Sequence, residues 1–175
     1  MSESINLEQF EMHLATEHEI DILPAIETAA DSLFSQVGFN DLPAAASAAE
    51  LKNAKAIIVA GRPPVGFARI EELGGNAHLE QLSVTPELAG NGIGGKLLEE
   101  TCVWAARQGY SAITLVTFQF IPWNAPFYEK HGFKMVNELT AELESLRQHE
   151  VELGLDNFGP RLVMKKPLQS TLPTQ

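Results

Sequence analysis

Gly90-Asn91-Gly92-Ile93-Gly94-Gly95 carries the strongest chemical signal in the chain. It follows a strand-like run and precedes leucines and alanines at helical spacing. Such a turn is an anion site. The first N–H groups of a helix have no partner within it. The helix dipole adds roughly half a positive charge at that end. Glycines let phosphate oxygens approach with no Cβ in the way. The expected ligand is a diphosphate; the plain alternative is a tight turn. Two familiar phosphate patterns also match, and both fail in context. Gly90, Gly92 and Gly95 satisfy G-x-G-x-x-G, but a dinucleotide fold needs an acidic residue ending the next strand, about 20 residues on. That strand ends at Val116-Thr117-Phe118. Gly90 to Lys96 satisfies G-x-x-x-x-G-K, but Leu97 stands where a Ser or Thr would hold magnesium.

Proton-transfer groups stand just upstream. Period two along Ala77 to Val84 puts His78, Glu80, Leu82 and Val84 on one side, and Leu79, Gln81 and Ser83 on the other. Glu80 could accept a proton; a salt-bridged strand residue is the alternative. Cys102, the only cysteine, falls mid-helix on the expected core stripe with no neighbouring histidine. It is expected to be a small buried hydrophobe, not a nucleophile. It also excludes an intrachain disulfide and a cysteine-based zinc site. The five histidines show no H-x-x-x-H or H-E-x-x-H pairing, so no metal is expected.

The elements that must position these groups follow from periodicity and turn chemistry. Residues 1–9 and 167–175 are polar and expected to be loose. Phe10 to Leu14 suits a short strand. Asp21 to Gln36 predicts an amphipathic helix stopped by Gly38, and Asp41 to Asn53 a second helix with Pro43 in its first turn. Lys55–Ala60, Gly66–Glu72 and Ala77–Val84, joined by Gly/Pro turns, predict an antiparallel meander. A helix then runs to about Gln108 with Leu97, Leu98, Thr101, Cys102 and Ala105 inward, ending at Gly109. Ala112–Thr117 is a buried-type strand. Ala125–His131 is a short helix capped by Asn124, and Phe133–Val136 a strand. Ala141–Leu153 is an added helix and Arg161–Lys166 a closing strand. The sum is a mixed α/β (α+β) chain.

At 175 residues the chain suits one domain, 1–175, with a single core. Hydrophobic residues make up 45% and charged residues 20%, as in ordinary globular proteins. A net charge of −11 and the lack of any basic cluster beyond Lys165-Lys166 argue against nucleic acid. The same charge weakly favours a cationic or amine substrate, although solubility explains it more simply. MSESINLEQF lacks signal-peptide features, and no apolar run approaches the ~20 residues that span a bilayer. No membrane contact and a cytoplasmic location are expected.

The stretch Leu82-Ser83-Val84-Thr85-Pro86-Glu87-Leu88-Ala89-Gly90-Asn91-Gly92-Ile93-Gly94-Gly95-Lys96-Leu97-Leu98 resembles the acetyl-CoA motif of the GNAT superfamily of N-acetyltransferases. That motif is a strand ending in V-x-P, then [QR]-x-x-G-x-[GA], then a leucine-led helix. Pro122-Trp123-Asn124-Ala125-Pro126-Phe127-Tyr128-Glu129-Lys130-His131-Gly132-Phe133 is similar to the family's N-x-x-x-x-F-Y-x-x-x-G-F segment, matching it from Phe127 to Phe133, with two residues in place of four between Asn124 and Phe127. The motifs stand in the family's order, one strand apart, and the resemblance runs from about Lys55 to Phe133. It implies a central, mostly antiparallel sheet flanked by helices, with a V-shaped opening between the fourth and fifth strands. It implies acetyl-CoA held by Leu82, Ser83, Val84, Ala89, Gly90, Asn91, Gly92, Ile93, Gly94, Gly95, Lys96, Asn124 and Tyr128. Tyr128 takes the place of the family's CoA-facing tyrosine and would protonate the leaving thiolate; packing beside Phe127 is the alternative. Glu80 would lie near the acceptor as base, with His78 a second choice. A backbone N–H near Val84 would stabilise the oxyanion. One departure stands out: Ala89 occupies the family's Arg or Gln position, and Asn91 a place often basic. The cradle must rely mainly on its backbone, with Lys96 compensating.

The acceptor pocket implied by this fold involves Leu33, Phe34, Gly38 and Phe39 together with Phe118, Phe120 and Trp123. For Leu33 and Phe34 a core role is the simpler expectation. The expected partner is a small-molecule or peptide amine, acetylated by direct attack in a ternary complex. A homodimer through exposed late strands is compatible with the sequence. The competing function is a non-catalytic acyl-CoA sensor on the same fold.

Overall fold

A computed structural model describes residues 4–169. Its strands are β1 (Met12–Leu14), β2 (Ala56–Ala60), β3 (Gly66–Leu73), β4 (Asn76–Val84), β5 (Ala112–Phe118), β6 (Lys134–Met135) and β7 (Arg161–Pro167). They form one sheet in the order β1-β2-β3-β4-β5-β7-β6. The pairs β1–β2, β2–β3, β5–β7 and β6–β7 are antiparallel, and β4–β5 is parallel. Helices α1 (Glu17–Ile20), α2 (Leu23–Asp31), α3 (Ala48–Lys52), α4 (Ile93–Arg107), α5 (Ala125–Lys130) and α6 (Ala141–Glu152) flank it. This is the mixed, mostly antiparallel architecture expected. Two compact units divide the chain: Met1–Ile70 with Gln81–Thr101, and Glu71–Glu80 with Cys102–Gln175.

In the first unit, Leu23, Ile26, Leu51, Ile57, Val59 and Phe67 make the core cluster. Two helix boundaries differ from expectation. Asp21–Gln36 is not one helix. α1 starts earlier, on a capping box between Thr16 and Glu19. Pro24 then opens α2, and residues 32–37 tighten into a 3-10 turn closed by Gly38 at φ 83°. Serine hydroxyls drive that tightening: Ser32 donates to Ala29 O at 2.6 Å and Ser35 to Ser32 O at 2.7 Å. The helix expected over 41–53 shrinks to α3. Ser47 Oγ accepts from Glu50 N–H and sets its start, while Ala46 N–H donates to Glu27 Oε2 at 3.0 Å. Pro43 lies outside any helix. Of the termini expected to be loose, 1–3 and 170–175 lie outside the described residues, and the described part of 1–9 is more structured than expected. Leu7–Gln9 form a 3-10 turn capped by Asn6.

Gly66 explains how β3, β4 and α4 close on one another. A Cβ there would stand 2.8 Å from Ser83 O and 3.2 Å from both Leu97 Cδ1 and Val84 Cγ2. The inner stripe of α4 is mostly as expected, with Leu97, Leu98, Thr101 and Ala105 buried. Cys102 is only half-buried, because it sits one position off that stripe.

In the second unit β5 is central. It pairs with β7 from Ala112–Pro167 to Phe118–Arg161. With β4 it shares two residue pairs, Ala77–Ile113 and His78–Thr114. Helix α6, capped by Thr140, is tied down by ion pairs. Arg147 donates to Asp156 Oδ2 at 2.6 Å and to Glu150 Oε1 at 2.8 Å, and Arg161 donates to Glu150 Oε2 at 2.9 Å. Among the described residues, no helix is long and apolar enough to cross a membrane, and no His/Cys/Asp/Glu group of three or more could hold a metal.

Candidate functional site

The glycine turn lies wholly in the first unit. Pro86–Leu88 form a 3-10 turn after β4. Gly90 and Gly92 follow at φ 79° and 89°, in the left-handed region that glycine enters without steric cost. Lys96 N–H donates to Gly92 O at 3.1 Å, so the N–H groups of Ile93, Gly94 and Gly95 precede the helical ladder. A Cβ at Gly90 would meet nothing within 4 Å, which leaves the turn's outer face open to a bulky anion. Gly92 is more enclosed: a Cβ there would stand 3.1 Å from Leu7 Cδ1.

Asn91 does not aim its amide N–H groups at a ligand. Its Nδ2 donates to Leu88 O at 3.0 Å and to Ala89 O at 3.2 Å, bracing the turn from inside. Ala89 is exposed in extended backbone. At the strand end, Leu82 and Val84 are half-buried. Ser83 is buried, and its Oγ accepts from Gln81 Nε2 at 2.9 Å. The open N–H groups, the glycine geometry and the half-buried cation Lys96 together suit a diphosphate.

Tyr128 and Asn124 belong to the second unit, at α5. Tyr128 is buried, with its ring edge-on to Phe127 at 5.1 Å and to Phe133 at 5.8 Å. Burial pushes its phenol above the ordinary tyrosine range. Asn124 departs from expectation. Its backbone stands at the N-cap of α5, but at φ −114° and ψ −116° its side chain makes no capping hydrogen bond. Pro126 removes the N–H of one early helical position. Helix capping therefore does not account for the amide of Asn124.

His78 and Glu80 extend from the same side of β4, as period two requires, but into different surroundings. His78 is 3% exposed, whereas the Glu80 side chain is 39% exposed. Pairing with β5 at Thr114 covers the first, and the ladder pairs end there. His78 Nδ1 lies 2.8 Å from Thr114 Oγ1, and its Nε2 lies 3.6 Å from Glu80 Oε2. Burial pushes the imidazole pKa down to about 4, so the ring is neutral at pH 7. A group of that pKa is a weak base, and its Nδ1 is already engaged. Thr114 was invisible as a site residue in the sequence, where it is one β-branched position in the run Ala-Ile-Thr-Leu-Val-Thr.

The aromatic residues expected to line an acceptor slot separate into three situations. Phe34 stacks on Phe39 in the first unit, centroids 6.0 Å apart at 11°. Phe118 is no open slot wall. It is buried, and the Arg161 guanidinium covers its ring at 4.5 Å. Phe120 and Trp123, beside Pro122, are exposed at 71% and 37% on the loop between β5 and α5. Arg161, another residue the sequence did not single out, holds one face of that region through Phe118 and Glu150.

Residues 53–135 match the family model of the acetyltransferase (GNAT) domain. Solved structures share the fold. The PaiA N-acetyltransferase of Thermoplasma acidophilum, solved with coenzyme A, superimposes with a TM-score of 0.65 at 16% identity, over 90% of this chain and 98% of that one. The ribosomal-protein-S18-alanine N-acetyltransferase of Escherichia coli gives 0.62 at 14% identity, over 95% and 97%. The N-acetylglutamate synthase of Neisseria gonorrhoeae, solved with coenzyme A and N-acetyl-glutamate, gives 0.65 at 16% identity, over 91% of this chain but 35% of that one. At such identities these likenesses concern the fold. The family match spans both the glycine turn and the Asn124–Phe133 segment, so residues 53–135 are similar to the GNAT acetyltransferase domain at both places.

Proposed function

We propose that this protein is an acetyl-CoA-dependent N-acetyltransferase that acetylates a primary amine by direct attack within a ternary complex. The observation that carries the reading is the glycine turn ahead of α4, with Gly90 and Gly92 left-handed and the first helical N–H groups ahead of the ladder, inside the segment that matches the acetyltransferase domain. Ile93, Gly94 and Gly95 would hold the diphosphate through their backbone, with Lys96 adding charge. Coenzyme A in two of the structural neighbours supports the same assignment.

Bound acetyl-CoA supplies the acetyl group as a thioester. Glu80, the more exposed partner of its pair with His78, takes a proton from the acceptor ammonium, directly or through water. The backbone N–H at Val84 is suited to the developing oxyanion, because the next one, Thr85 N–H, already donates to Val65 O at 2.8 Å. Tyr128 keeps its proton throughout the physiological range because burial raises its pKa. Tyr128 gives its proton to the sulfur as the C–S bond breaks, and the second proton that the nitrogen sheds on becoming an amide restores the phenol. Asn124, free of a capping duty, is suited to the pantetheine arm. Exposed Phe120 and Trp123 offer apolar surface to the acceptor. The neighbours include a ribosomal-protein-S18-alanine N-acetyltransferase and an N-acetylglutamate synthase, which are too unlike to carry one acceptor over to this chain.

The test is thiol release from acetyl-CoA against a panel of amines, with longer acyl donors in parallel. Turnover is expected with acetyl-CoA and at least one amine. Tyr128→Phe should lower kcat by ~10- to ~1,000-fold with coenzyme A affinity unchanged. Coenzyme A binding without turnover on any amine would instead identify a sensor, and an unchanged kcat in Tyr128→Phe would remove that residue from the reaction.

A further inference from the structure

We propose that α6 positions the acceptor loop: through Glu150 it holds the Arg161 guanidinium over Phe118, and so fixes the end of β5 from which Gln119–Asn124 departs. The proposal rests on the reading of Phe120 and Trp123 as acceptor surface.

The family match ends at residue 135 and does not extend to α6. The inner stripe of this helix is Leu143, Leu146, Arg147 and Glu150, at helical spacing and each buried or half-buried. The first half of the stripe is apolar and the second half charged. Phe118 and Arg161 are directly opposed partners on β5 and β7, so their side chains leave the same face of the sheet. Glu150 meets Arg161 there, which sets the charged half of α6 over the end of β5. The other end of α6 is fixed as well. A Cβ at Gly74, in the turn between β3 and β4, would lie 2.7 Å from Oγ1 of the N-cap Thr140.

Four charges alternate in sign along this contact: Asp156, Arg147, Glu150 and Arg161. Arg147 donates from Nη2 to Asp156 Oδ2 at 2.6 Å and from Nη1 to Glu150 Oε1 at 2.8 Å. Glu150 keeps one oxygen for Arg161, and Oε2 accepts from Nη2 at 2.9 Å. A carboxylate facing one arginine alone can take two of its N–H groups in a fork. Here the second oxygen belongs to Arg147, and Arg161 Nε is left buried with no hydrogen-bond partner among the described residues. An orphaned buried donor is unfavourable, so stability alone would favour the fork. The shared carboxylate instead ties the guanidinium to α6 in one orientation. That guanidinium lies 4.5 Å over the Phe118 ring, and Gln119 N–H donates to Pro160 O at 2.9 Å. Side chain and backbone together pin the last residue of β5 and the first of the loop to the start of β7. β4 does not share this task, because its ladder pairs with β5 end at His78–Thr114. Within the loop Ile121 is buried, and its carbonyl accepts from Asn124 N–H at 2.9 Å. The direction set at Phe118 is thereby passed on to Trp123. Glu150 and Arg161 are positioning residues and touch no reacting atom.

The test is ¹⁹F NMR of the full-length protein carrying 5-fluorotryptophan. The chain has two tryptophans, Trp104 on α4 and Trp123 on the loop, each assigned by its Phe variant. The native protein is expected to give one narrow Trp123 resonance. Arg161→Lys keeps a cation but loses the planar group over Phe118. Glu150→Gln keeps one acceptor oxygen and loses the charge. Each should split or broaden the Trp123 resonance while Trp104 stays in place. Each should also raise the KM for the best amine of the thiol-release panel about 10-fold, with a smaller change in the KM for acetyl-CoA. A split Trp123 signal in the native protein, or one that is unmoved in both variants whatever their stability, would overturn the proposal. The native spectrum needs no variant, and a poorly folded variant betrays itself at Trp104. Failure of the acceptor reading looks different: Trp123 would respond in both variants while the amine KM held.

Discussion

Ala89 is the residue where this cradle is weakest. The GNAT motif has a cation or an amide there, and here a methyl group is exposed in extended backbone beside Gly90. Restoring the side chain should therefore add affinity. Ala89→Arg is expected to tighten coenzyme A binding by about 2- to 10-fold, the range of one solvent-exposed, charge-assisted contact to phosphate. Calorimetric titration decides it, and weaker or unchanged binding would show that the phosphates do not pass Ala89. The sequence exposed this weakness because a side chain either is or is not in a motif. It could not expose the contact of Thr114 with His78, which depends on which residue of a distant strand it faces. Nor could it tell that Asn91 turns inward to Leu88 O and Ala89 O, or that the Asn124 side chain leaves the cap of α5 unmade. Both asparagines have a simple local reading, and only the backbone angles decide between it and the alternatives.

Among the elements, the strands and α4 follow their sequence patterns to within a residue or two. Alternation, glycine turns and a leucine stripe all point the same way there. The early helices do not. Local side-chain hydrogen bonds at Ser32, Ser35 and Ser47 cut an apparently continuous helical pattern into short pieces, and apolar spacing carries no record of them. Gly66 is a further element-scale constraint that pattern reading gives no reason to notice. It opens β3 and resembles any strand-initiating glycine, yet Ser83 O would lie 2.8 Å from its Cβ. Backbone cannot swing aside as a side-chain tip can. Gly66→Ala is expected to cost about 1–3 kcal/mol of stability by overpacking. It should also weaken coenzyme A binding, because Leu97 and Val84, which it would push, border the turn and the strand end. Urea denaturation and calorimetry on the same sample test both parts, and a neutral effect on both would mean that β3 and α4 part at little cost.

For the molecule as a whole, the buried neutral His78 sets an acid limit. In the native state its ring stays neutral until about pH 4, while in the unfolded chain it titrates near 6.5. Between those values the unfolded state binds more protons, so stability falls as pH falls. The contribution is complete above pH 6.5 and is lost toward pH 4, amounting to at most about 3 kcal/mol. Unfolding free energies measured at pH 7 and pH 5 should differ by about 2 kcal/mol more in the native protein than in His78→Gln. Equal differences would show that the ring accepts a proton without strain. At this scale the sequence was informative about class and silent about order. Adjacent strands of the meander were legible, but β7 lying between β5 and β6 is a long-range pairing that no local pattern encodes.

The two compact units are interleaved along the chain. β3, β4 and α4 each begin in one unit and end in the other, with changes at Ile70, Glu80 and Thr101. Neither unit is a contiguous cassette. A fragment carrying Cys102–Gln175 alone would lack the Glu71–Glu80 hairpin that supplies His78 and Glu80, and a fragment ending at Ile70 would lack the glycine turn. Recombination with a relative at a single crossover point would therefore split at least one unit wherever it fell between Ile70 and Cys102. New acceptor specificities on this scaffold are expected to arise by substitution within loops such as Gln119–Asn124, and not by exchange of halves.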